Sequence, residues 1–133
     1  MLLFKKFLIE KILSGEKIET RRLWEKARVK LNSIQSVQPD LRSSFKKEPP
    51  VCYVKIKSLH RELLSDITPE GVIHEGFPDG DVKKFIAGFK EINAKKVKTN
   101  GLLPEGISLE DWNPNLFVVG FGLWQPDNFQ RLL

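Results

Sequence analysis

The segment Gly15-Glu16-Lys17-Ile18-Glu19-Thr20-Arg21-Arg22 gathers a glycine, an ammonium, a hydroxyl and two guanidinium groups into one short run. Two kinds of chemistry suit that set. Lysine and arginine can grip a phosphate while threonine hydrogen-bonds it, which gives a binding site without catalysis. Alternatively the threonine hydroxyl attacks a carbonyl carbon, which requires a base within hydrogen-bond reach and a cation or donor for the oxyanion. Strand parity sorts the residues: in a strand from Ile18, Thr20 and Arg22 share a face, whereas Glu19 and Arg21 point the other way. Lys17 has the wrong parity and reaches the face of Thr20 only from a turn after Gly15, whose conformational freedom permits one.

The elements that must hold this segment can be read from periodicity. Phe4, Leu8 and Ile12 recur at helical spacing with Ile9 and Leu13 beside them, which predicts a helix over 4–13 ended by Gly15 as a left-handed cap. A strand over 18–23 follows, and a second over 24–31. In the second, Lys26, Arg28 and Lys30 alternate with Ala27, Val29 and Leu31, and Lys55 and Lys57 alternate with Val54 and Ile56 in the same way. Such outward lysines and arginines are either a solvated sheet face or a surface attractive to phosphate. Residues 32–50, polar and carrying Pro39 and the Pro49-Pro50 pair, read as a long loop. A central strand is expected over 51–59. Thr68 as N-cap and Pro69 at the first helical position start a short helix through His74. Asp79 or Gly80 caps a further helix from Asp81 to Ile92, where Val82, Phe85, Ile86 and Phe89 form an apolar stripe. Residues 93–111 look irregular, and Leu116–Trp124, apolar on both faces, suits a strand in the wall of a small barrel. The expected fold class is α+β: a small β-barrel, closed or nearly so, of about five or six strands with two or three flanking helices.

Composition narrows the functional classes. The chain has 133 residues, 41% hydrophobic and 29% charged, which suits one globular domain over 1–133. Its net charge is +5, and residues 1–66 carry 15 lysines and arginines against 8 acidic residues, a balance that suggests a polyanionic partner but is equally that of a solvated sheet face. A single cysteine, Cys52, excludes an intramolecular disulfide, and it is expected to sit buried in its strand as a small apolar residue. His60 and His74 stand at no metal-ligand spacing, so no metal and no cofactor are expected, and His74 reads as a structural or exposed histidine. The longest stretch without Asp, Glu, Lys or Arg, 112–126, is short of the ~20 residues that span a bilayer. Lys5, Lys6, Glu10 and Lys11 break up any signal-peptide core. A cytoplasmic protein with no membrane partner is the expectation. Trp24, Trp112 and Trp124 read as packing residues.

The junction motif, with Gly15, Lys17, Thr20 and Arg22 in place, resembles the signature of the ASCH domain family, a branch of the PUA-like superfamily. The order of elements agrees: central strand, a Glu75-Gly76-Phe77 step, amphipathic helix and apolar C-terminal strand. The resemblance implies a PUA-like β-barrel whose cleft binds RNA or a nucleotide. Some small bacterial members with threonine at this position hydrolyse N4-acetylcytidine with a Lys, Thr and Glu set, which falls here on Lys17, Thr20 and Glu75; other members are proposed ribonucleases or RNA-binding modules. Candidate substrate- or phosphate-binding residues are Arg22, Arg21, Gly15, Lys26, Arg28 and Lys55.

Two assignments of the base compete. Lys17 must be neutral to serve, through burial or the neighbouring charge of Arg22, and an ionised Glu75 opposes that shift. Alternatively Glu75 takes the proton while Lys17 and Arg22 stay charged and stabilise the oxyanion, the assignment electrostatics prefers. Glu75 is otherwise a partner for Arg22, and a protein-interaction adaptor with neither activity is the third functional reading.

Overall fold

A computed structural model describes residues 1–125. Its elements run β1 (Leu2–Leu3), α1 (Lys6–Ser14), β2 (Glu19–Arg22), β3 (Ile34–Gln38), α2 (Leu41–Phe45), β4 (Cys52–Leu63), α3 (Pro69–His74), α4 (Val82–Thr99) and β5 (Asn115–Trp124). The strands form one sheet in the order β1-β3-β4-β5-β2, antiparallel except for the β1–β3 pair. The two edges of this curled sheet, a half-barrel, meet through a side chain: the Arg22 guanidinium on β2 donates to the Leu3 carbonyl on β1 at 2.7 Å. That contact turns an open five-stranded sheet toward the barrel that the sequence implies.

The local signals act where they were read. Gly15 caps α1 with φ of 84°, a conformation that costs other L-residues steric strain, and its N–H reaches the Ile12 carbonyl. The Thr68 hydroxyl accepts from the Gly71 N–H, and Pro69 opens α3. The cap of α4 falls on Asp81, which accepts from the Lys84 N–H, and not on Asp79 or Gly80 as expected, so the helix starts one residue later, at Val82. In β5, Leu116 to Phe121 are all buried, as expected of a strand covered on both faces. The core joins Ile9 and Ile12 of α1 to Val37, Val54, Ile56, Val119 and Phe121 of the sheet.

Four further expectations need correction. Residues 24–31 form no strand; because β2 lies at one edge of the sheet and β3 next to the other, the chain between them has to cross the sheet. Trp24 packs on Phe117, Val29 is buried, and Arg61 holds the Glu25 carbonyl at 2.9 Å, so the crossing is pinned although it is irregular. Lys26, Arg28 and Lys30 therefore share no strand face. The segment 32–50 is no simple loop: β3 and α2 lie within it, β3 stabilised by neighbours on both sides that outweigh the weak strand preference of Ile-Gln-Ser-Val-Gln. Helix α4 continues to Thr99 through residues expected to be irregular, since Ala94, Lys95, Lys96 and Lys98 are good helix formers. Cys52 is half-buried rather than buried, and burial pushes its thiol pKa up.

The register between β4 and β5 shifts between Ile56 and Ser58, opposite Gly120. A Cβ at Gly120 would collide with the Ser58 hydroxyl. Gly120→Ala is expected to cost about 1–3 kcal/mol by overpacking, and the double variant Gly120→Ala/Ser58→Ala to recover most of it in thermal unfolding. Equal loss in the single and double variants would contradict this account of the bulge.

Candidate functional site

Lys17 is the pivot of the site. It lies in the short stretch between the α1 cap and β2, with its N–H on the Lys11 carbonyl and the next N–H, that of Ile18, on the His74 carbonyl. The turn after Gly15 thus carries the side chain inward, and Lys17 is only 2% exposed. Its ammonium donates to the Glu19 carbonyl (2.9 Å), the Glu75 carbonyl (2.8 Å) and Glu75 Oε1 (3.0 Å). Three acceptors for three N–H groups is the arrangement of a charged amine, because a neutral amine would turn its lone pair toward one of those oxygens. Burial, aided by the charges of Arg22 and Arg21, lowers the Lys17 pKa from 10.5, while Glu75 opposes that shift.

Glu75, at the C-cap of α3, is also buried. Its second oxygen accepts from Arg21 NH1 at 3.1 Å, so its partners are Lys17 and Arg21, and the alternative pairing with Arg22 is not adopted. Arg21 goes on to Glu62 on β4 (Nε to Oε2, 2.7 Å) and to Glu19 (3.3 Å). Burial disfavours the charged guanidinium, but the hydrogen bonds and charges of Glu62 and Glu75 outweigh this and raise its pKa. The guanidinium fits because α3 has Gly71 there: a Cβ at that position would lie 2.9 Å from Arg21 NH2. His74 is half-buried, 3.7 Å from both Glu19 and Glu70.

On the other face of β2, Arg22 Nε donates to Thr20 Oγ1 at 3.0 Å, as strand parity requires. The Phe4 ring lies under both cations, 4.7 Å from the Arg22 guanidinium carbon and 5.5 Å from Lys17 Nζ. Among the described residues, Thr20 Oγ1 has Arg22 as its one side-chain hydrogen-bond partner, and neither Lys17 nor Glu75 hydrogen-bonds it.

These groups floor a cleft of about 770 Å³. Lys17, Thr20, Arg21, Arg22 and Glu75 all line it, together with Phe4 and Phe7, Trp24 and Arg28 from the crossing segment, and Phe77, Phe85, Phe89 and Asn93 on the side of α4. Three of the expected binding residues lie apart: Gly15 is the helix cap, and Lys26 and Lys55 do not line the cleft, Lys55 being exposed on β4. Sequence reasoning missed Glu62, since the apolar alternation of β4 fades after Leu59 although the strand continues to Leu63. It also missed Phe4, read as part of a helix face, and the aromatic wall of α4, read only as the apolar stripe of a helix. The half-buried state of Phe85 and Phe89 marks the difference. Among the described residues no cluster of His, Cys, Asp or Glu could hold a metal, and no helix is long and apolar enough to cross a membrane.

Two outcomes follow from the buried charges. Glu75→Gln strands two buried cations and is expected to lower stability in urea by about 3–5 kcal/mol; a loss below ~1 kcal/mol would contradict the ion cluster. Because the Lys17 pKa is lower folded than unfolded, the unfolded chain binds more protons between the lowered value and 10.5. Stability therefore rises with pH across that window. The rise is expected to be smaller in Lys17→Met, and an unchanged pH slope would refute it.

No protein-family model and no curated protein matches the chain. Solved structures do. An ASCH domain from Lactobacillus crispatus superposes with a TM-score of 0.68 at 15% identity, covering 88% of this chain and 70% of that one. A DUF984 protein from Enterococcus faecalis gives 0.62 at 12% identity, covering 97% and 73%. The α+β half-barrel, with its charged floor on β2 and α3, has the fold of an ASCH domain.

Proposed function

We propose that the cleft binds a nucleobase, in a modified nucleoside or in RNA, and that Thr20, Lys17 and Glu75 hydrolyse an N4-acyl group from cytidine there. The observation that carries the reading is the composition of the cleft: aromatic walls that suit a flat ring stand over a buried floor of fixed charges and one hydroxyl. In the hydrolysis, Thr20 Oγ1 attacks the acyl carbonyl carbon and its proton passes to Glu75, directly or through a water. The C–N bond breaks as the exocyclic nitrogen takes that proton, and water then cleaves the threonyl ester to release the carboxylate. Lys17 and Arg22 stay cationic and stabilise the oxyanion. The three acceptors around Lys17 favour Glu75 over Lys17 as the base. Arg22, by donating to Thr20 Oγ1, leaves that hydroxyl's own proton free to point at a base.

A second reading, binding without turnover, is favoured by one specific feature: both Glu75 oxygens are already engaged, so the base must give up a hydrogen bond to act. An ultraviolet assay with N4-acetylcytidine separates the two. Under the hydrolase reading Thr20→Ala abolishes turnover with the fold intact, and Glu75→Gln, where it folds, lowers kcat by about 10²–10⁴-fold. Absence of turnover in folded wild type, with RNA affinity falling by ~0.7 log units per neutralised phosphate for each log unit of salt, would transfer the proposal to the binding module.

A further inference from the structure

Helix α4 is built unlike a helix that serves only the core. Of its 18 residues just one, Val97, is buried. Gly88 and Phe89 each stand three or four residues from both Phe85 and Ile92, so the four share one face, and that face lines the cleft. Ile92 is 67% exposed there and the two phenylalanines are half-buried. The Phe85 and Phe89 rings stand 6.4 Å apart at 30°, and both line the cleft.

Gly88 is the informative residue. A glycine in a helix interior is unfavourable relative to alanine, and this one meets no steric demand: a Cβ built there has nothing within 4 Å. It contrasts with Gly71, where a Cβ would press on Arg21. The protein's own packing therefore gives no reason for a missing side chain at position 88, whereas a flat group lying across Phe85, Phe89 and Ile92 does, since any side chain there would hold it off the helix.

We infer that this face of α4 is the platform for the base and that Gly88 is the point of closest approach, a specificity-determining position of the cleft. The inference rests on the proposed function and deepens it: the ligand is a planar pyrimidine ring lying on an apolar helix face, with its exocyclic edge toward the floor of Lys17, Thr20 and Glu75. A free nucleoside and a base within single-stranded RNA share that chemistry.

The test titrates two probes, N4-acetylcytidine and a fluorescein-labelled cytidine hexaribonucleotide, into wild type, Gly88→Ala, Gly88→Leu and Phe89→Ala, with thermal unfolding of each. Gly88→Ala is expected to raise Tm by about 2–4 °C, the helix gaining what glycine withholds, while weakening binding at least ~10-fold. Gly88→Leu is expected to abolish binding in a folded protein, and Phe89→Ala to weaken it ~10- to 100-fold through lost stacking. Loss confined to the free nucleoside, or to the hexamer, identifies the source of the base. If wild type binds a probe and both Gly88 variants bind it equally well, the platform is wrong while the proposed function stands. If folded wild type binds neither probe, the proposed function fails and the platform with it.

Discussion

The Glu75 carboxylate, shared between the Lys17 ammonium and the Arg21 guanidinium, is the contact on which the rest of the site depends. Each of the three is buried, and a charge in that position is tolerated only if its partners are fixed. The sequence meets this requirement from three directions. Gly15 ends α1 so that the chain can turn Lys17 inward; Thr68 and Pro69 set α3 so that Glu75 falls at its end; Glu62, far along β4, neutralises the other side of Arg21. The cluster therefore ties β2 to α3 and to β4 and fixes the charged floor of the cleft.

Closure of the sheet is tied to the same stretch of chain. Arg22, next to Arg21 but on the opposite face, bridges the edge strands by reaching Leu3 while orienting Thr20. One dipeptide of adjacent arginines thus contributes to the ion cluster with one side chain and to barrel closure and the hydroxyl with the other. Strand parity makes this division possible. Phe4, whose ring lies under both Lys17 and Arg22, links the hydrophobic core to both cations.

Much of this was legible in the sequence because its signals are local. The Gly15 cap, the Thr68 cap with Pro69, the parity of Thr20 and Arg22, and the doubly apolar β5 each depend on a few neighbouring residues. What was not legible depends on distant partners. The crossing segment 24–31 alternates like a strand, but strand order leaves it nothing to pair with. Strand β3 has poor propensity and exists because β1 and β4 flank it. The same limit applies within the site. That Glu75 would meet Arg21 rather than Arg22 is a matter of which face of β2 turns to α3, and the apolar stripe of α4 reads alike whether it faces a core or a cleft.

On the proposed function the ligand enters between α4 and the charged floor, and not along the lysines on the outer face of β4. An NMR titration of isotope-labelled protein with N4-acetylcytidine tests it directly, using the Thr20 methyl, the Lys17 side-chain ammonium and the Phe4, Phe85 and Phe89 rings as reporters. The account predicts saturable shifts at these groups and none at Lys55 or Lys57. Shifts centred on Lys55 and Lys57, or none at any of these groups, would contradict it.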